Sequence, residues 1–211
     1  RPYFVKEEKI LMQSYESDDE GVAMRAMMDT VVACVYDTIV PTNLTTYDIE
    51  FLFTQIRAKS VGEKSKIIAS CIKEDCEIKT NLTVNLMEVK VQSGARDDVK
   101  DVIELSDNIL LELKYPSFES YVSIWNEEKT DAEFGMDMIP FCIKAIISGE
   151  DRITDWGEEE ILEFIDSMTT EQFAKITEFI ENAPSLKHEL EFDCECGQKN
   201  KAILEGLSDF F

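Results

Sequence analysis

The sequence predicts an α+β protein, with two helical blocks around one core and an antiparallel β module formed by the middle segment and a C-terminal hairpin. Three observations carry this reading. Residues 46–63, TYDIEFLFTQIRAKSVGE, place Ile49, Leu52, Phe53 and Ile56 on one helical face and end in a Ser-Val-Gly-Glu stop. Residues 77–91 then change period, with Ile78, Thr80, Leu82, Val84 and Leu86 on one side and Lys79, Asn81, Thr83 and Asn85 on the other. Helical periodicity resumes after Pro116 and stops at Pro184.

The elements follow in order. Residues 6–15 form a short helix with Ile10 and Leu11 inward. The turn Ser17-Asp18-Asp19-Glu20 is rich in N-cap residues, and residues 21–39 follow as an apolar helix carrying Val22, Met28, Val32, Val35 and Tyr36 until Pro41 stops it. Thr45 or Thr46 caps the next helix. Residues 64–72 and 77–91 read as a half-buried antiparallel pair, and residues 100–105 and 108–115 as two further strands. The second block holds helices over 117–128, 131–148, 157–167 and 170–182. The last of these opens on Thr169-Thr170-Glu171-Gln172 and has an apolar face of Phe173, Ile176, Phe179 and Ile180. Residues 187–192 and 199–204 make a final hairpin. The organisation is 1–63 helical, 64–115 β, 116–185 helical and 186–211 hairpin and tail, folded as one compact discontinuous unit.

Composition narrows the function. The chain has 211 residues, 44% hydrophobic and 31% charged, which suits a globular protein. Against 44 Asp+Glu stand 21 Lys+Arg, a formal net charge of −23. Such a surface repels nucleic-acid phosphates and anionic lipid, and suits a basic protein partner or simple solubility at high local concentration. No apolar run has the length of a membrane span and no secretory signal opens the chain. The start at Arg1 rather than Met reads as a processed, trimmed or incomplete product. Six cysteines without a signal peptide read as reduced thiols or metal ligands in a cytosolic setting.

The sharpest chemical feature is Cys71 and Cys76 at one hairpin turn with Cys194 and Cys196 at another. Two cysteine-bearing turns facing each other build a tetrahedral zinc site. The spacing argues against it, because a zinc knuckle generally separates its cysteines by two residues, whereas here four intervene in one pair and one in the other. Both readings stand: a zinc site, or reduced structural cysteines, which the spacing favours. Cys34 and Cys142 lie in apolar helical patterns and read as core. His188, the lone histidine, has no nucleophile elbow or cysteine partner around it and reads as a partly exposed strand residue. Glu158-Glu159-Glu160 and Asp18-Asp19-Glu20 fall at helix N-termini, where acids complement the dipole. Asp97, Asp98 and Asp101 lack an EF-hand pattern, and no glycine-rich loop cradles a phosphate. No catalytic residue is assigned. Arg57 and Lys59 form a small basic island beside Glu63, fit for a partner or for internal salt bridges. Phe210 and Phe211 are either tucked into the protein's own core or presented to a partner.

The opening RPYFVKEEKIL, the DIEFLFTQIRAKSVGE passage, the Tyr115-Pro116 boundary, the TTEQFAKITEF helix and HELEFDCECGQKN with LEGLSDFF resemble, in the same order, the T4-type tailed-phage baseplate hub assembly proteins. The resemblance implies a protein that builds the central hub of the baseplate, as an assembly factor or as a hub subunit, with no enzymatic activity. It implies other baseplate hub proteins as partners, and the host cytoplasm during assembly or the virion baseplate as location. Members commonly look as if they carry Cys-x-x-Cys-Gly knuckles at both hairpins. The altered spacing here puts metal binding in doubt.

Overall fold

A computed structural model describes residues 1–17, 19–36, 39–94, 96, 99–106, 108–126 and 128–210. In chain order its first elements are α1 (Val5–Tyr15), α2 (Glu20–Cys34), α3 (Thr46–Val61), β1 (Lys64–Ser70), β2 (Lys79–Asn85) and β3 (Lys90–Gln92). Next come β4 (Val102–Ser106), β5 (Ile109–Leu113), α4 (Phe118–Ile124), α5 (Asp131–Cys142), β6 (Ile143–Ser148) and β7 (Asp151–Ile153). The chain finishes with α6 (Glu158–Asp166), α7 (Thr170–Glu181), β8 (Ser185–Asp193), β9 (Lys199–Glu205) and a 3-10 turn, Leu207–Phe210. Every strand pair is antiparallel, and the protein is α+β. Two compact units form: Arg1–Val40, Tyr47–Gln92 and Pro184–Phe211 make the first, and Pro41–Thr46 with Ser93–Ala183 the second.

In the first unit α1 packs on α2, whose start is capped by Asp19 accepting the N–H of Val22 at 3.3 Å. Of the face expected on α3, Ile49, Phe53 and Ile56 lie in the core and Leu52 is half-buried. β1 and β2 form a hairpin running from Lys64 opposite Asn85 to Ser70 opposite Lys79. β3, β8 and β9 form a second sheet in that order. Ala58, Val84, Leu86, Val89, Leu186, Leu204 and Phe210 build the core they share.

The second unit is a four-stranded sheet in the order β4-β5-β6-β7. Leu111, Leu113 and Ile143 bury against Ile139, Ile161, Ile165, Ile176 and Phe179. The Tyr115 ring stacks on Phe179 at 4.6 Å between centroids. On the exposed face Glu112 accepts from Lys144 at 2.5 Å and Arg152 at 2.6 Å, a cross-strand charge pair repeated over three strands. Thr169 caps α7 as its sequence signature implies: its hydroxyl accepts from the N–H of Gln172 at 3.2 Å, and its own N–H donates to the Gln172 side chain at 2.8 Å.

Several expectations are corrected. The single core is two. The β segment 64–115 divides, giving β1 to β3 to the first unit and β4 and β5 to the second. Among the described residues only β3 of that segment pairs with the C-terminal hairpin, because Asn85 caps a 3-10 turn at Leu86–Glu88 that ends β2. The helix expected over 131–148 stops at Cys142. Pro140 cannot continue the helical hydrogen bonding, and the β-branched run at Ile143, Ile146 and Ile147 pairs with β5 instead. α2 ends at Cys34 rather than 39; Asp37 and Thr38 lie outside the described residues. Its buried face is Ala26, Met27, Thr30, Val31 and Cys34, so Val22, Val32 and Tyr36 point outward. On α1 Leu11 is buried but Ile10 is 51% exposed.

Candidate metal centre

β1 runs out of strand at Ser70, and Cys71 follows it directly. The chain then turns tightly: the N–H of Cys76 donates to the carbonyl of Lys73 at 3.2 Å, and Asp75 takes a left-handed φ of 64°. That turn returns Cys76 toward Cys71 despite the four residues between them. At the other hairpin the N–H of Gly197 donates to the carbonyl of Cys194 at 2.8 Å, and the N–H of Cys194 to the carbonyl of Gln198 at 2.9 Å. Gly197 sits at φ 85°, a backbone that a side chain would strain. Asn200, buried on β9, ties the two ends: its side-chain oxygen accepts the N–H of Ile72 at 2.9 Å while its amide donates to the carbonyl of Gln198 at 2.9 Å.

The result is a cluster. The sulfurs of Cys71, Cys76, Cys194 and Cys196 all lie within 4.8 Å of one another. Cys71 and Cys196 sulfurs are 3.7 Å apart, and those of Cys76 and Cys194 are 3.8 Å apart. Those close pairs cross from one hairpin to the other. Cys194 is buried and Cys196 exposed, so adjacent sulfurs reach the centre from inside and outside.

The amide N–H groups of Ile78, Cys196 and Gln198 each favour the thiolate of the cysteine two residues earlier. At Cys196 this, with hydrogen bonds from the Cys194, Cys76 and Cys71 thiols, outweighs burial and holds the thiol at about 7. At Cys194 the Cys196 N–H is outweighed by burial and by the three neighbouring sulfurs, and the thiol is pushed up to about 12. At Cys76 the Ile78 N–H is outweighed by burial and by the Cys196 and Cys71 thiols, and the thiol is raised. Thiolates suit a soft or borderline divalent ion such as Zn²⁺ over Mg²⁺ or Ca²⁺. The donor set and its size fit such an ion.

The remaining site expectations land elsewhere. Cys34 and Cys142 are buried core residues, and His188 is half-buried on β8 opposite Leu204. Among the described residues no histidine or carboxylate joins the four thiols. Phe210, considered for a partner surface, is instead 0% exposed within the first core, and Phe211 lies outside the described residues. Asp18, Asp97 and Asp98 also lie outside them. Lys59 and Glu63 are exposed.

Arg57 lines an open groove of about 810 Å³ in the first unit, with Tyr3, Leu11, Met12, Tyr15, Met24, Met27, Phe53, Val61 and Leu207, and with Glu8 and Glu20 beside them. Sequence reasoning missed this groove. The signal was present in Met24 and Met27 of α2, in Tyr15 at the end of α1 and in Tyr3 just before that helix.

Fold and cluster together define an antiparallel α+β protein whose two hairpins meet in a set of four thiols. The family model described as T4 bacteriophage base plate protein matches residues 1–211. The chain therefore belongs to that family of phage baseplate proteins. Comparison with curated proteins and with solved structures gives no significant match. Among the described residues no helix is long and apolar enough to cross a membrane.

Proposed function

We propose that this chain is a non-enzymatic assembly factor for the central hub of the phage baseplate, acting by protein–protein contact. Family membership over the whole length carries the reading. The groove lends it support. An open, methionine-rich apolar surface adapts to a partner helix, and methionine suits such surfaces because its side chain is flexible and polarizable. The occupant we assign is an apolar segment with basic flanks on another baseplate hub protein. Glu8 and Glu20 at the groove and the net charge of −23 select positive flanks and disfavour nucleic acid and anionic membrane. Assembly takes place in the host cytoplasm.

A second reading, a structural subunit retained in the virion hub, draws on the same membership. Mass spectrometry of purified particles separates the two. An assembly factor is found in complexes from infected cells and is absent from finished tails, whereas a subunit is present in finished tails at fixed stoichiometry. Absence from both hub complexes and particles contradicts either role.

A further inference from the structure

Each cysteine-bearing hairpin end lacks a hydrophobic core of its own. No residue from 66 to 83 of the β1–β2 hairpin is buried, and from 191 to 200 only Cys194 and Asn200 are. A two-stranded hairpin is marginal in water without packing on one face. The shared apolar core reaches these hairpins only through the partly buried Ile67 and Leu190. Beyond them the ends are joined by the Asn200–Ile72 hydrogen bond and the meeting of four sulfurs.

We propose that Cys71, Cys76, Cys194 and Cys196 bind one structural Zn²⁺, which clasps the end of the β1–β2 hairpin to the end of the β8–β9 hairpin. The spacing of the sulfurs supports it. A tetrahedral centre with Zn–S bonds of about 2.3 Å places its sulfurs about 3.8 Å apart. The two cross-hairpin pairs stand at 3.7 and 3.8 Å. Four protein thiolates fill the coordination sphere, leaving no position for water or substrate, so the ion is structural rather than catalytic. Binding displaces the thiol protons to solvent. The uneven spacing in sequence is accommodated by the turns at Asp75 and Gly197, with Cys194 buried and Cys196 exposed. The inference is independent of the assembly role.

The test uses the full chain, purified under reducing conditions and freed of loosely held metal. Elemental analysis is expected to find about one zinc per chain. Exchange with Co²⁺ should give the sulfur-to-metal charge-transfer absorption and strong visible bands of tetrahedral thiolate coordination. Cys196→Ser, at the exposed ligand, should weaken zinc in chelator competition by on the order of 100-fold or more, since even outer-shell changes cost 10–100-fold. Cys142→Ala, in the other unit, should leave the stoichiometry unchanged. Less than about a tenth of an equivalent after reconstitution with Zn²⁺ overturns the proposal. So does Cys196→Ser binding as tightly as the parent, or an intact mass showing two disulfides within this cluster in the reduced preparation. Should that variant fail to fold, the stoichiometry and cobalt spectrum of the parent decide alone.

Discussion

The Ser65 hydroxyl donates to the backbone carbonyl of Phe210 at 2.5 Å, joining the start of β1 to the final turn across the buried floor of the first unit. The Phe210 ring is fully enclosed beside that bond. The terminal turn is thus part of the core, and Phe210→Ala should lower stability by about 3–5 kcal/mol, the cost of truncating a buried aromatic. Denaturant unfolding of the full chain measures it. A change below about 1 kcal/mol would mean the ring is not packed as described.

Glu7 links stability to acid. Burial alone would raise its pKa, but the Arg1 guanidinium at 3.0 Å, the N–H of Phe4 at 2.8 Å and Lys6 hold it at about 2. A carboxyl depressed in the folded state contributes stability that is fully present above its ordinary value of 4.5 and is lost as pH falls through about 2. Melting temperature followed between those limits should fall with acid in the parent, and the slope should flatten in Glu7→Gln. An identical slope in both would assign the acid sensitivity to other groups.

Asn200→Ala removes the bridge between hairpin ends and leaves the N–H of Ile72 without its partner. We expect a loss of about 1–3 kcal/mol. Hydrogen exchange should accelerate at Ile72 and along β2 while α7 in the second unit keeps its protection. Uniform acceleration in both units would contradict a local clasp.

The Thr169 cap is a local feature of the second unit. Thr169→Ala should cost about 1 kcal/mol. It should do so without altering the cysteine cluster, and the exchange of amides at the start of α7 reads the effect.

Met12→Glu probes the groove without disturbing the core. Met12 is 58% exposed and lines the groove, so its replacement should move stability by less than about 0.5 kcal/mol. Binding to the hub complex isolated from infected cells should weaken by about tenfold or more, the effect expected of a charge placed in an apolar contact. Unchanged binding would remove the groove from the partner surface.

Much of the fold was legible because period and punctuation agreed. α3 buries Ile49, Phe53 and Ile56 at the helical spacing its sequence shows, and β2 alternates with Lys79, Asn81 and Thr83 outward. α7 announces its start through Thr169 and Gln172. α2 was misread because Val22, Met28, Val32 and Val35 compete with Ala26, Met27, Val31 and Cys34 for the core, and a helix apolar on every side does not declare which face is buried. The break at Cys142 was hidden because a β-branched run after Pro140 satisfies helical spacing as well as strand pairing. The two-unit division depends on which strands pair over long separations, and local periodicity does not encode that. At the cysteines, spacing measured along the chain pointed away from a tetrahedral set. The left-handed turns at Asp75 and Gly197, which only the folded backbone reveals, bring the four sulfurs together.

The proposal of a contact-driven assembly role is tested most directly by counting baseplates in cells infected with phage lacking this gene. The account predicts that hub-containing baseplates are lost and are restored when the intact protein is supplied in trans. Normal numbers of complete baseplates in its absence would contradict it.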